Sequence, residues 1–223
     1  MALETSTTPV FFAKVAGVET FVPFLGQMSI LQPGSCRKTE GLDTPEAFLD
    51  DVDRNLATVW LATKKFCVLV NRAASSKRKL PEATLLQAMA SITYRLLHRR
   101  YAAHSFDETL RLALLAFCSR TFLQLPTIRI EDTCLPSAYR ECLLSIGICR
   151  KASSRILLWL QTIGIVAVFG QADHAWLKPL LRSSIEGCGV ESWSELADIM
   201  NSFIWIGLVF DRPGRDIFSN LMS

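Results

Sequence analysis

From residue 44 onward the apolar positions fall in steps of three and four, the spacing that gathers side chains on one face of an α-helix. Thr44, Pro45 and Glu46 offer an N-cap, a first-position proline and an acid near the positive helix end. Phe48, Val52, Leu56, Val59 or Trp60, Phe66 and Val70 follow on one stripe, which predicts a first helix from Thr44 to about Val70. Asn71 to Lys79 is polar and basic and reads as an exposed link. Pro81 and Glu82 open a second helix whose inward stripe is Leu85, Met89, Ile92 and Leu96, backed by Leu86 and Leu97.

Ser105, followed three residues on by Glu108, fits a capping box, in which each side chain satisfies an orphan N–H of the helix start. The third helix is predicted from there to about Gln124, stopped by Pro126. It is apolar nearly all round (Leu110, Leu112, Leu114, Leu115, Phe117, Phe122) and belongs at the centre. A fourth helix is predicted from Pro136 and Ser137 to Cys149. The fifth runs from Ser153 or Ser154 to Phe169, with Gly170 as a left-handed cap. A sixth runs from Asp173 to Gly187 with Trp176, Leu177, Leu180, Leu181 and Ile185 inward. Pro179 interrupts its hydrogen bonding, so a kink or a later regular start is expected. Ser192 and Glu195 form a second capping box ahead of Leu196, Ile199, Met200, Phe203 and Ile204. Asp211 to Gly214 is expected to turn the chain into a last short helix.

Residues 1–43 follow no such period. Pro9, Gly17, Pro23, Gly26, Pro33, Gly34 and Gly41 punctuate them, and loops with one or two helical turns are expected. No alternating strand pattern of useful length occurs, and no fixed-period repeat. The expected fold class is therefore all-α, a compact bundle of about seven to eight helices over 44–223, preceded by an irregular segment over 1–43.

The 223 residues are half apolar and one-fifth charged, a globular composition, and the formal charge is only +3. Nothing in that balance requires a nucleic-acid partner. Residues 1–9 are polar with an acidic Glu4, and no basic stretch precedes Val10, Phe11 and Phe12, so a signal peptide is not expected. The apolar run from Ile156 to Phe169 is shorter than the roughly 20 residues of a bilayer span and reads as a core helix. Seven cysteines are present: Cys36, Cys67, Cys118, Cys134, Cys142, Cys149 and Cys188. Their number is odd and none forms a C-x-x-C pair, so reduced thiols in an intracellular protein are expected.

Candidate chemistry is sparse. The three histidines, His98, His104 and His174, have no spacing that sets two metal ligands on one helix face. Asp50, Asp51 and Asp53 form an acidic cluster of the type that holds magnesium against a diphosphate in all-α isoprenoid enzymes. Such sites need a second acidic cluster across the cavity, and Glu131-Asp132 stands alone. Acids in a first helical turn are also explained by the helix dipole. Gly187-Cys188-Gly189 lacks the later glycine and the lysine of a phosphate loop. Arg72 with Lys77-Arg78-Lys79, and Arg95 with Arg99-Arg100, read as solvated faces, with Lys77-Arg78-Lys79 as a weak nuclear-import signal.

The last 70 or so positions carry a more specific pattern. Ile156 to Ile165, with Trp159 and Gly164, resembles the "LLLW-x-L-x-x-G-G-I-A" segment of the fungal-specific transcription factor domain, the regulatory region of fungal binuclear zinc-cluster transcription factors. Gly170, Trp176 and the run Ser192-Trp193-Ser194-Glu195-Leu196 are similar to the family's next elements. Phe203, Trp205, Asp211 and Gly214 match "F-x-W-x-x-x-x-D-x-x-G", with Phe218 near a final tryptophan position. Tyr94 to Leu97 and Glu108 to Leu115 resemble upstream helices of that family, more loosely. Ile165 stands where the family has a second glycine. Cys36 has no cysteine two or three positions away, so the six-cysteine zinc cluster is not expected.

The resemblance implies a transcription-factor-like regulatory protein in the nucleus. It would act through protein contacts, a full-length zinc-cluster regulator among the partners, or through an effector held in a helical pocket, without touching DNA and without spanning a membrane. No catalytic, metal or DNA-binding residue and no cofactor is expected. The motif residues Trp159, Gly164, Trp176, Trp193, Trp205, Asp211 and Gly214 read as structural. The alternative is an all-α enzyme acting on an isoprenoid-like substrate with Asp50, Asp51 and Asp53.

Overall fold

A computed structural model describes residues 46–122, 134–146 and 153–222. Among these the protein is all-α. A 3₁₀ turn (Ala47–Asp51) leads into eight α-helices: α1 (Arg54–Ser75), α2 (Glu82–His98), α3 (Phe106–Phe122), α4 (Cys134–Ile146), α5 (Ser154–Ala167), α6 (His174–Gly187), α7 (Trp193–Ser202) and α8 (Gly207–Met222). A second 3₁₀ turn, Gln171–Asp173, joins α5 to α6.

The two helices that are apolar on every side lie at the centre, because such a helix has no face to give to water. In α3 every residue from Thr109 to Ser119 is buried. In α5 the buried set runs from Ile156 to Val166 and leaves out only Leu157 and Gln161. α3 packs on α1, α2, α4 and α5, whereas α5 carries α4, α6, α7 and α8. Buried hydroxyls on these helices bond back along their own chain, Thr109 to the Ser105 carbonyl at 2.9 Å and Thr162 to that of Leu158 at 2.7 Å. Among the described residues no helix is long and apolar enough to cross a membrane.

Several boundaries differ from the sequence-based expectation, each for a local reason. The first long helix starts at Arg54, where the Asp53 carboxylate accepts from the N–H groups of Asn55 and Leu56 at 3.0 and 3.2 Å. Ahead of it, the 3₁₀ turn is tied down by an ion pair between Glu46 and Lys64, and by Phe48 edge-on to Trp60 at 5.1 Å. Thr44 and Pro45 lie outside the described residues. α1 also runs on to Ser75, so Asn71 is helical and the link is confined to 76–81. α4 begins two residues before Pro136, which sits in the first turn where a missing N–H costs nothing. α2 buries Ala88, Ile92 and Leu96, whereas Leu85 and Leu86 are exposed.

Gly170 has φ −89° and does not form a left-handed cap. That role falls to Gly189, at φ +66° after α6. There the Val190 N–H reaches the Ile185 carbonyl at 3.1 Å and the Gly189 N–H that of Glu186 at 3.0 Å, a Schellman closure. Pro179 is accommodated within α6, whose inward residues are Leu177, Leu181 and Ile185; Leu180 is exposed. The stretch Asp211 to Gly214 is not a turn but the middle of α8. Of the seven cysteines, Cys67, Cys118 and Cys142 are buried, Cys188 half-buried and Cys134 exposed, and none of these five is in a disulfide. Cys36 and Cys149 lie outside the described residues.

Candidate functional site

The motif residues assemble into two aromatic locks. The first closes the corner between α7 and α8. The Trp205 indole N–H donates to Asp211 Oδ1 at 2.8 Å, and that of Trp159 to the Ile204 carbonyl at 2.9 Å. Gly214 lies flat under Trp193: a β-carbon there would come within 2.7 Å of the Trp193 ring and 3.4 Å of Trp205. The outer face of Trp193 is covered by the Arg215 guanidinium, 5.9 Å from the ring centre, with Phe218 beside it at 6.4 Å.

Asn71 completes this corner from α1. Its amide nitrogen donates to the Trp205 carbonyl at 2.9 Å, and its amide oxygen accepts from the Gly207 N–H at 3.2 Å. The side chain thus satisfies two backbone groups where α7 gives way to α8, a role invisible in a residue that reads as polar linker.

The second lock joins α4, α5 and α6. Phe169 lies parallel to Tyr139 at 5.6 Å and edge-on to Trp176 at 5.2 Å. Gly164 provides the space beneath it: a β-carbon would stand 2.6 Å from the Phe169 ring. The Tyr139 hydroxyl donates to the Leu160 carbonyl at 2.7 Å, and the Trp176 N–H to Asp173 at 3.1 Å. Arg140 sits 5.2 Å over the Trp176 ring. The indole N–H groups of Trp159, Trp176 and Trp205 are spent inside the fold, and the rings of both locks are spent on packing.

The acidic cluster is dispersed by its backbone. Asp50 and Asp51 are exposed in the 3₁₀ turn, and Asp53 caps α1 while accepting the Tyr101 hydroxyl at 2.9 Å. Burial pushes the Asp53 carboxyl up, but the Tyr101 bond and the two cap N–H groups outweigh it and hold it below its ordinary value. Among the described residues no three His, Cys, Asp or Glu side chains group so as to hold a metal ion. His98 stacks on Tyr94 at 5.5 Å, His104 meets Ser145 Oγ at 3.2 Å and His174 opens α6. Lys77, Arg78 and Lys79 are all exposed in the link after α1.

One cleft brings cations together. A cavity of about 320 Å³ opens between the first turns of α1 (Asn55, Leu56, Val59), the last turns of α2 (Tyr94, Arg95, Leu96, His98) and the residues that follow, with Arg111 of α3 at the back. Arg111 is fully occupied. Its guanidinium forks onto Glu108 at 2.8 and 2.6 Å and donates to the Leu96 carbonyl at 2.9 Å. Glu108 also accepts from the Tyr101 N–H at 3.1 Å. Burial pushes the Glu108 carboxyl up, but the Arg111 pairing wins and holds it below the usual range. Arg95 is half-buried on the same wall. Burial and then the charge of Arg99 lower its affinity for a proton. Of the two arginines expected on a solvated helix face, Arg99 is exposed as expected, whereas Arg95 is half-buried on the cleft wall.

Set against protein-family models, curated proteins and solved structures, the chain matches none.

Proposed function

We propose that this chain is a regulatory protein of the kind found in fungal zinc-cluster transcription factors, working without a zinc cluster of its own. It acts through protein contacts, with a full-length zinc-cluster regulator as partner, or through a bound effector. It performs no catalysis, uses no cofactor and makes no direct contact with DNA. What carries the reading is the way the motif residues converge: Trp159, Trp193, Trp205, Asp211 and Gly214 interlock at one corner, and Gly164 and Trp176 at another. Residues spread over α5 to α8 are used to hold helices in a fixed arrangement, which is what a scaffold presenting surfaces needs. A formal charge of +3 leaves little for phosphate neutralisation. The exposed Lys77-Arg78-Lys79 supports nuclear entry.

The test joins the chain to a heterologous DNA-binding domain at a reporter gene. The fusion is expected to change transcription several-fold relative to the DNA-binding domain alone. The free chain should show no sequence preference in a mobility-shift assay at physiological salt. A fluorescent fusion should leave the nucleus when Lys77, Arg78 and Lys79 are replaced by alanine. A silent fusion, or sequence-selective DNA binding by the chain itself, overturns the reading.

A further inference from the structure

We propose that the cleft between the start of α1 and the end of α2 binds a small organic carboxylate with an apolar body, its charge held by Arg95 and Arg99. Two guanidinium groups one helical turn apart repel each other, and burying a cation without a counterion is costly. Every nearby acid is engaged elsewhere. Asp53 serves the α1 cap and Tyr101, and Glu108 serves Arg111 and the Tyr101 N–H. Asp107 faces the Asp53 backbone N–H. The third arginine of the wall, Arg111, has its fork filled by Glu108. Among the described residues Arg95 and Arg99 therefore keep no carboxylate partner, and an incoming anion supplies one.

The rest of the cavity says which anion. Its walls at Leu56, Val59 and Leu96 are hydrocarbon, and two tyrosines, Tyr94 and Tyr101, line it. About 320 Å³ lies at the small end of ligand sites. A guanidinium matches the two oxygens of a carboxylate in its own plane. An inorganic phosphate satisfies the charge but leaves the apolar walls facing water, whereas a carboxylate on an apolar body fills both parts.

The inference rests on the reading of the domain as effector-controlled, and binding is measured apart from transcription. Hexanoate, phenylacetate and 4-phenylbutyrate are titrated calorimetrically into the full chain, alongside 4-phenylbutanamide and inorganic phosphate. At least one carboxylate is expected to bind, with the amide and phosphate at least about tenfold weaker. Arg95→Gln and, on the exposed rim, Arg99→Gln should each weaken binding about tenfold or more, whereas Arg72→Gln at the far end of α1 leaves it unchanged. Arg95→Gln should also melt no lower than wild type, because it relieves repulsion. The site is overturned when none of the three carboxylates binds at about 10 mM, when amide or phosphate binds as well as the acid, or when neither arginine change matters. Binding with a ligand-indifferent reporter supports the site and counts against the regulatory reading. A regulated reporter without binding does the reverse.

Discussion

Gly164 is the position where local and tertiary preferences oppose each other most sharply. It lies in the middle of α5, where alanine is favoured over glycine by ~1 kcal/mol on intrinsic helix propensity. In the fold, the alanine β-carbon would stand 2.6 and 3.0 Å from two atoms of the Phe169 ring and 3.3 Å from Tyr139. Carbon pairs rest at ~3.5–4.0 Å, so the overlap with Phe169 approaches 1 Å. Phe169 has nowhere to go. Tyr139 lies parallel on one side, Trp176 edge-on beside it, and Tyr139 is itself held by the bond to the Leu160 carbonyl. The turn that delivers Phe169 is anchored on Gly164 as well, through N–H bonds from Val168 and Phe169 to its carbonyl at 3.0 and 2.9 Å. Overpacking of a buried site costs ~1–3 kcal/mol. With Phe169 locked in place the cost falls in the upper part of that range, ~2–3 kcal/mol, and after the ~1 kcal/mol propensity gain Gly164→Ala should destabilise by ~1–2 kcal/mol. For a chain of this size that lowers the melting temperature by about 3–6 °C. Gly187→Ala is the matched control: nothing lies within 4 Å of its β-carbon, so the melting temperature should hold or rise slightly. In the double variant Gly164→Ala/Phe169→Leu the smaller side chain makes room, and the combined loss should fall ~1 kcal/mol short of the sum of the singles. Gly164→Ala melting at or above wild type, or strict additivity in the double variant, would refute the reasoning.

Trp205→Phe keeps most of the ring but removes the N–H that Asp211 accepts at 2.8 Å; a loss of ~1–2 kcal/mol is expected in the urea midpoint at unchanged slope, and a wild-type midpoint would show that the bond carries nothing. Asp53 and Glu108 both have carboxyls held below their ordinary values, so their stabilisation is present above the usual carboxylate range and is lost as pH falls through the folded values. The melting temperature should therefore drop as pH is lowered below about 4.5, the ordinary value for Glu108, and Glu108→Gln should lower neutral stability while flattening that acid slope; an unchanged slope contradicts the assignment. Burial pushes the Cys118 thiol up to about 12 and raises that of Cys67 as well. Iodoacetamide at about pH 8 should leave both unlabelled in the native chain and modify both in urea, read by peptide mass spectrometry.

Much of the helical architecture follows from short-range patterns. α3 and α5 were legible as central because their apolar residues leave no polar stripe. The Ser192–Glu195 capping box forms with both bonds in place, at 3.3 and 3.1 Å. Helix ends and turns were less legible than helix centres. Asp53 caps α1 although Thr44 offers an N-cap followed by proline. Gly170 takes no left-handed turn after α5, whereas Gly189 takes one after α6. Pro213 lies within α8 although Asp211 to Gly214 has the composition of a turn.

The sequence by itself determined what depends on residues within about two helical turns of one another: the all-α class, the placing of most helices, and which faces are apolar. Only the tertiary structure decided which distant partners meet. Asn71 bonds Gly207 across 136 residues, Trp159 reaches the Ile204 carbonyl across 45, and Tyr101 meets Asp53 across 48. The arginine cleft is of the same kind, since Arg95 reads as part of a solvated face until α1 and α3 are set beside it. Periodicity reports which side of a helix is buried. It does not report what buries it, because shape and hydrogen-bond complementarity between separate helices leave no spacing in the chain.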